Sequence, residues 1–191
     1  MDGITLMVEE HVNIKRMLAV LRKASLTILN GGDINFEDFK DMTDFVKYYA
    51  DEHHHGKEEK FLFDRMSSEI GGAAAKLVTG MLIEHDQGRL YMMDLKAALE
   101  KVKAGDEEAK VDVIANAVSY THLLNRHIDK EDSAAYPFAR RGLSEETLNT
   151  INDLCETFEK EQEEKGIQEQ YMKTLERLEK VYGCQTPSKE L

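Results

Sequence analysis

An all-α fold is what this chain predicts, and three features carry the prediction. Proline is nearly absent: the 191 residues hold two, Pro137 and Pro187, so nothing ahead of Pro137 withholds a backbone N–H from a helix. Apolar residues in that stretch recur at helical intervals and not in alternation. Short breaks rich in Gly, Asn and Asp divide it into long segments. A chain of this length can bury roughly 70% of its unfolded surface, enough for one core without disulfides.

The elements follow from the breaks. A first helix spans roughly 4–29 and ends at Asn30-Gly31-Gly32-Asp33. Asn35, with Glu37 and Asp38 in the first turn, caps a second over roughly 36–67, which Gly71-Gly72 ends. A third runs over about 73–103 to Ala104-Gly105-Asp106, and a fourth over about 107–135, stopped by Pro137. Four long helices with short connections make antiparallel neighbours, so residues 1–138 are expected to form an up-down antiparallel four-helix bundle. Ser144 with Glu145 and Glu146 then opens a fifth helix to about 164, Gly166 breaks it, and a sixth runs to about 182. This extension, 139–191, carries two apolar stripes, Leu148, Ile151, Leu154, Cys155 and Phe158, then Ile167, Tyr171, Leu175, Leu178 and Tyr182. The stripes are expected to pack on the bundle, on each other or on a second copy in a homodimer. The tail 183–191 is expected to fray.

Charge narrows the partners. Lys and Arg number 25 against 37 Asp and Glu, a net charge of −12. Nucleic-acid affinity comes largely from clustered Lys and Arg, and an anionic membrane repels such a chain, so neither partner is expected. No apolar run approaches the ~18 residues of a membrane-spanning helix. Met1-Asp2-Gly3 opens without the basic and apolar regions of a secretory leader, and Cys155 and Cys184 sit in no CxxC pair. The expected address is the cytoplasm.

The informative residues are histidines on apolar seams. The first helix has the stripe Ile4, Met7, His11, Ile14, Leu18, Leu21, Ser25, Ile28, with His11 at a core position. The third has Val78, Met81, His85, Gly88, Met92, Leu95, Leu99, Val102, where Gly88 leaves room one turn beyond the histidine. The fourth has Val113, Ala117, Tyr120, Leu124, His127, Glu131, Ala134, so an imidazole and a carboxylate four residues apart share the buried face. One core histidine is commonly satisfied by a carbonyl. Three helices that each place one inward, beside a carboxylate needing a partner, make a metal site the simpler account.

The second helix adds His53-His54-His55-Gly56-Lys57-Glu58-Glu59. The seam through Phe39, Met42, Val46 and Tyr49 points to His53, whose i+4 neighbour, Lys57, cannot ligate. An internal repeat selects otherwise: His54, Lys57, Glu58, Glu59 and Phe63 align without a gap to His127, Lys130, Glu131, Asp132 and Tyr136. Glu10-His11 with Lys15 aligns likewise to Glu84-His85 with Arg89, and the separations His11 to His54 and His85 to His127, 43 and 42, nearly coincide. Two hairpins each supply one histidine and then His-x-x-x-Glu, a pseudo-twofold site with room for two metals. A seam that must shift from His53 to His54 implies an irregularity near Gly56, of the π-bulge kind. Imidazole and carboxylate without thiolate suit iron, manganese or zinc. Two octahedral ions require roughly twelve coordination positions; four histidines and two bridging carboxylates fill about eight, and a bridging oxygen about two more. About one position per metal stays open for a small oxidant.

These spaced motifs, Glu10-His11, His54-His55-Gly56-Lys57-Glu58-Glu59, Glu84-His85-Asp86 and His127-Ile128-Asp129-Lys130-Glu131-Asp132 followed by Tyr136-Pro137, resemble the hemerythrin-like HHE cation-binding family over about residues 4–138. The resemblance implies a four-helix bundle with two iron ions bridged by an oxo or hydroxo oxygen, held at His11, His54, Glu58, His85, His127 and Glu131. It also implies a difference: oxygen-carrying hemerythrins have a further histidine one turn after the third-helix ligand, where this chain has Arg89. Carriers use an acid one residue later on the fourth helix, which makes Asp132 the alternate to Glu131, and the periodicity favours Glu131.

The other candidates are read plainly. His53, His55 and His122 fall off the inward faces, at the surface or behind the ligands. Tyr136, like Phe63, packs at the bundle end, with a phenolate ligand or an electron donor as the lesser alternative, Tyr120 lines a pocket or donates a hydrogen bond, Cys155 is a small core residue and Cys184 a loose tail thiol. Two function classes result. One is an oxidoreductase that reduces peroxide, dioxygen or nitric oxide in stress defence, using an external electron donor. The other is a carrier or sensor that binds oxygen, nitric oxide or iron without turnover, a sensor needing a separate partner.

Overall fold

The Asp2 carboxylate accepts a hydrogen bond from the Thr5 N–H at 2.7 Å and so caps the first helix, α1 (Gly3–Leu29). In the computed structural model, which describes residues 1–184, five more helices follow. Asn35 accepts from the Glu37 and Asp38 N–H groups, each at 3.1 Å, and opens α2 over 36–70. Gly71, at φ +64°, makes the sharp turn into α3 (Gly72–Lys103). A 3₁₀ turn capped by Asp106 leads into α4, 107–142. Ser144 caps α5 (Glu145–Glu164), and α6 (Ile167–Tyr182) closes the set. There is no strand among the described residues, and none of the described helices is long and apolar enough to cross a membrane. The expected fraying of the tail lies, from residue 185 onward, outside the described residues.

Two of these helices are not regular. In α2 the winding is α-helical over Phe36–Phe45 and then π-helical over Val46–His55, Glu58–Phe63 and Met66–Ile70. The irregularity expected near Gly56 is therefore real and longer than one bulge. In α4 a π turn over Glu131–Ala135 separates Lys110–Lys130 from Tyr136–Gly142. That turn corrects two expectations. Pro137 does not stop the helix, because it stands at the start of a new α segment, where its missing N–H is not called on. The buried residue after Glu131 is Ala135 and not Ala134, because the wider turn moves the stripe on by one.

The α1 and α3 stripes are buried residue for residue as the periodicity predicts. They separate into two apolar clusters. One contains Ile14, Leu18, Phe45, Leu95, Leu124 and Leu175, and the other Ile4, Met7, Phe63, Met81, Tyr136 and Ile151. Between them lies a buried polar layer drawn from four helices: Glu10 and His11, His53 to His55 with Lys57 and Glu58, His85, and His127 with Glu131. The extension lies against this bundle, α6 on α1 and α2, and α5 on α1 and on the π-wound part of α2.

Candidate metal centre

All six residues expected to ligate lie in the polar layer, none more than 2% exposed. The imidazoles meet in two pairs. His11 Nε2 is 2.9 Å from His54 Nε2, and His85 Nε2 is 2.9 Å from His127 Nε2. The opposite ring nitrogen of each meets a carboxylate: His11 Nδ1 and Asp132 at 2.8 Å, His54 Nδ1 and Glu10 at 2.8 Å, His85 Nδ1 and Glu59 at 2.7 Å, His127 Nδ1 and Glu84 at 2.9 Å. A carboxylate accepts only, so each Nδ1 carries a proton and each Nε2 is turned inward toward its partner. Two lone pairs at hydrogen-bond distance repel unless a proton or cation lies between them.

The two buried glutamates sharpen the point. Glu131 Oε1 is 3.0 Å from His127 Nε2, and its Oε2 is 3.3 Å from His11 Nε2. Glu58 Oε2 is 3.7 Å from His54 Nε2 and 3.6 Å from His85 Nε2. Each carboxylate thus faces an imidazole of both pairs, yet Glu58 Oε2 and both Glu131 oxygens have no hydrogen-bond partner although fully buried. Unpartnered buried carboxylate oxygens are costly. Without a cation the two cannot share the site as anions: burial and the Glu131 charge push the Glu58 carboxyl well above the usual range, while Glu131, despite burial, is drawn well below it by His127, His11 and His85. Burial also lowers the His54 imidazole to about 4, keeping it neutral. Against burial, the carboxylates Asp132 and Glu131 raise His11 to about 8, and Glu131 and Glu59 shift His85 in the same direction, so without a metal a proton lies within the cluster. Inward-facing ring nitrogens, unpartnered oxygens and a net negative pair of carboxylates are what a divalent metal pair would satisfy in its place. Two groups converge within 4.8 Å, His11, His54, Glu58 and Glu131, and His55, Glu58, His85 and His127.

Glu131 faces inward, whereas Asp132 stands behind His11 on its outer nitrogen. For three residues the structure decides between the alternatives: His53 and His55 stand behind the ligands and not at the surface, and Tyr136 contacts the site. His53 and His55 are buried, at 2% and 5% exposure, because the π winding brings three successive residues toward the interior. The His55 ring stacks on His85 with centroids 3.8 Å apart, and His53 binds Glu10 at 3.0 Å. Tyr136 is more than packing: its hydroxyl donates to Glu58 Oε1 and its ring stacks on His11. Burial beside Glu58 pushes that phenol well above its ordinary range, so it stays protonated as a donor. Arg89 pairs with Asp51 at 2.7 Å, Glu59 at 2.7 Å and Asp86 at 3.0 Å. His122 is exposed and meets Arg22, far from the layer.

The carboxylates behind the histidines were within reach of the sequence, since the repeat aligns Glu10 with Glu84 and Glu59 with Asp132. No local signal marks Glu159 of α5, which forms an ion pair with buried Lys57 and lies 3.1 Å from His53. Among curated proteins nothing matches the chain. The family model described as the hemerythrin HHE cation binding domain matches residues 2–139, most of the chain and all of the polar layer except Glu159, and the protein belongs to that family.

Proposed function

We propose that this is a non-heme di-iron protein that reduces a small oxidant, peroxide, dioxygen or nitric oxide, in oxidative or nitrosative stress defence. Residues 1–138 act as an up-down four-helix bundle and 139–191 as its extension. His11, His54, Glu58, His85, His127 and Glu131 hold two irons bridged by an oxo or hydroxo oxygen. The observation that carries the reading is the pair of facing Nε2 couples, each nitrogen fixed from behind by a carboxylate. Bound there, the irons would supply Lewis acidity and electrons. The chain's own residues set the conditions. Glu10, Glu59, Glu84 and Asp132 hold the imidazoles in one tautomer and orientation. The Tyr136 O–H holds Glu58 from one side and sets a protonated donor against the centre. The apolar clusters on either side keep bulk water out. Arg89, where carriers place a histidine, is paired with Asp51, Glu59 and Asp86 and would leave a coordination position to an exogenous molecule.

A sensor is the second reading, supported by the Lys57 to Glu159 contact that ties the centre to α5. Metal analysis and stopped-flow oxygen mixing test both. The expected result is about two irons per chain and irreversible oxidation of the iron(II) protein, with peroxide consumed when an electron donor is present. One tightly held zinc and no iron overturns the di-iron reading. Return to the iron(II) state when oxygen is withdrawn overturns the reductase in favour of a carrier or sensor.

A further inference from the structure

A cavity of about 280 Å³ opens between α2, α3 and α4 and ends against the centre. It is far larger than a small oxidant requires: a water molecule takes about 30 Å³ of liquid, and an apolar cavity of roughly 150 Å³ holds benzene. By that scale the space suits about ten to twelve non-hydrogen atoms. Its walls are apolar, built from Val46, Gly88, Met92, Met93, Tyr120 and Leu124. Gly88 matters to the space, because a Cβ there would already lie 3.4 Å from the Tyr120 ring and any longer side chain would fill the cavity. Met93, 60% exposed, brings an adaptable thioether to the wall.

The two ends differ. At the buried end are His55 and His85, the latter one of the six proposed ligands. Its charged lining there is spoken for, Asp51 and Arg89 by each other and Glu84 by His127 and Lys130. At the exposed end stand Lys47 on α2 and Lys96 on α3. Lys96 has no ion pair among the described residues, and the nearest carboxylate to Lys47 is Glu52 at 3.9 Å. Lys47 precedes His55 by eight residues along the π-wound part of α2, and Lys96 follows His85 by eleven along α3, about 16 Å of α-helix. On a chain of net charge −12, the unpaired Lys96 ammonium, with Lys47 beside it held only by the exposed contacts to the Tyr48 hydroxyl at 3.3 Å and Glu52 at 3.9 Å, forms a local complement to an anion at the mouth of an apolar slot.

We infer that this cavity binds a free medium-chain organic carboxylate, its anionic head on Lys47 and Lys96 and its apolar tail along Val46, Met92 and Leu124, ending beside His55 and His85. Binding requires only the cavity; that the tail end lies next to a metal centre rests on the proposed function. A chain of about ten carbons matches the volume above.

Calorimetry with decanoate, on protein with and without iron, tests it, together with spectra of ¹³C-methyl methionine. Decanoate is expected to bind at one site per chain and to shift the Met92 and Met93 methyl signals. Decanol and butyrate should bind at least tenfold more weakly. Gly88→Leu should abolish binding and the exposed pair Lys47→Glu with Lys96→Glu should weaken it at least tenfold. No saturable binding, unshifted methionine signals, or equal binding by these variants overturns the inference. Binding to protein that takes up no iron upholds the cavity and defeats the di-iron reading instead; iron uptake with no decanoate binding does the reverse.

Discussion

The hairpin of α1 and α2 and the hairpin of α3 and α4 contribute matching residues to the centre, and they differ in what covers them. In the first, Glu10 holds His54 and Lys57, and Lys57 is fully buried because α5 lies over it and Glu159 supplies a second carboxylate. In the second, Glu84 holds His127 and Lys130 in the same pattern, but Lys130 is 44% exposed and forms no ion pair with the described residues of the extension. There His85 of the imidazole pair borders the cavity instead. One repeated motif therefore serves as a sealed support on one side and an accessible face on the other. The lesson is that coordination geometry was duplicated while access was decided by a segment outside the repeat.

The largest effect expected from this contrast is on stability. Lys57→Met removes the cation between two carboxylates in a dry site and should cost about 3–5 kcal/mol. Lys130→Met breaks a half-exposed pair and should cost at most about 1 kcal/mol. Urea unfolding of the two variants without metal measures this, and equal losses would mean that α5 seals nothing.

A smaller effect concerns the metals. Glu10→Gln and Glu84→Gln each remove the carboxylate behind one imidazole and should lower affinity roughly 10–100-fold, for the metal of that half first. Iron titration followed by absorption should show one strong and one weakened site in each variant. Identical loss of both sites would make the halves a single cooperative unit.

The smallest effect is on acid stability. Burial raises the Glu159 carboxyl, but the His53 hydrogen bond and the Lys57 charge more than reverse it, leaving it below the ordinary value of 4.5. As the pH falls below that value the unfolded chain takes up the proton before the folded one does, so this contribution, complete above it, is progressively lost. Glu159→Gln should therefore flatten the fall in stability below about pH 4.5 while lowering stability at pH 7. A variant with the wild-type slope would show that α5 is not coupled to the polar layer.

Helix number, caps and most core positions were legible in the sequence because they depend on local chemistry. Asn35, Ser144 and the glycine breaks act on their own neighbours, and the α1 and α3 stripes keep one period throughout. His54 and Glu58 were legible only through the repeat, since the local period pointed at His53. Residues His55, Tyr136 and Ala135 escaped for a single reason. Period arguments assume about 3.6 residues per turn, and the π turns of α2 and α4 break that register just where the site lies.

By itself, then, the chain determined that four helices carry His and Glu inward with two-fold repetition, because spacing along a helix decides which side chains share a face. Only the tertiary structure decided that the Nε2 atoms meet in pairs with carboxylates behind them, that Glu159 buries Lys57, and that the room Gly88 leaves beyond His85 widens into a cavity between three helices. Those features depend on how distant helices approach one another, and a distance between helices is written in no local pattern.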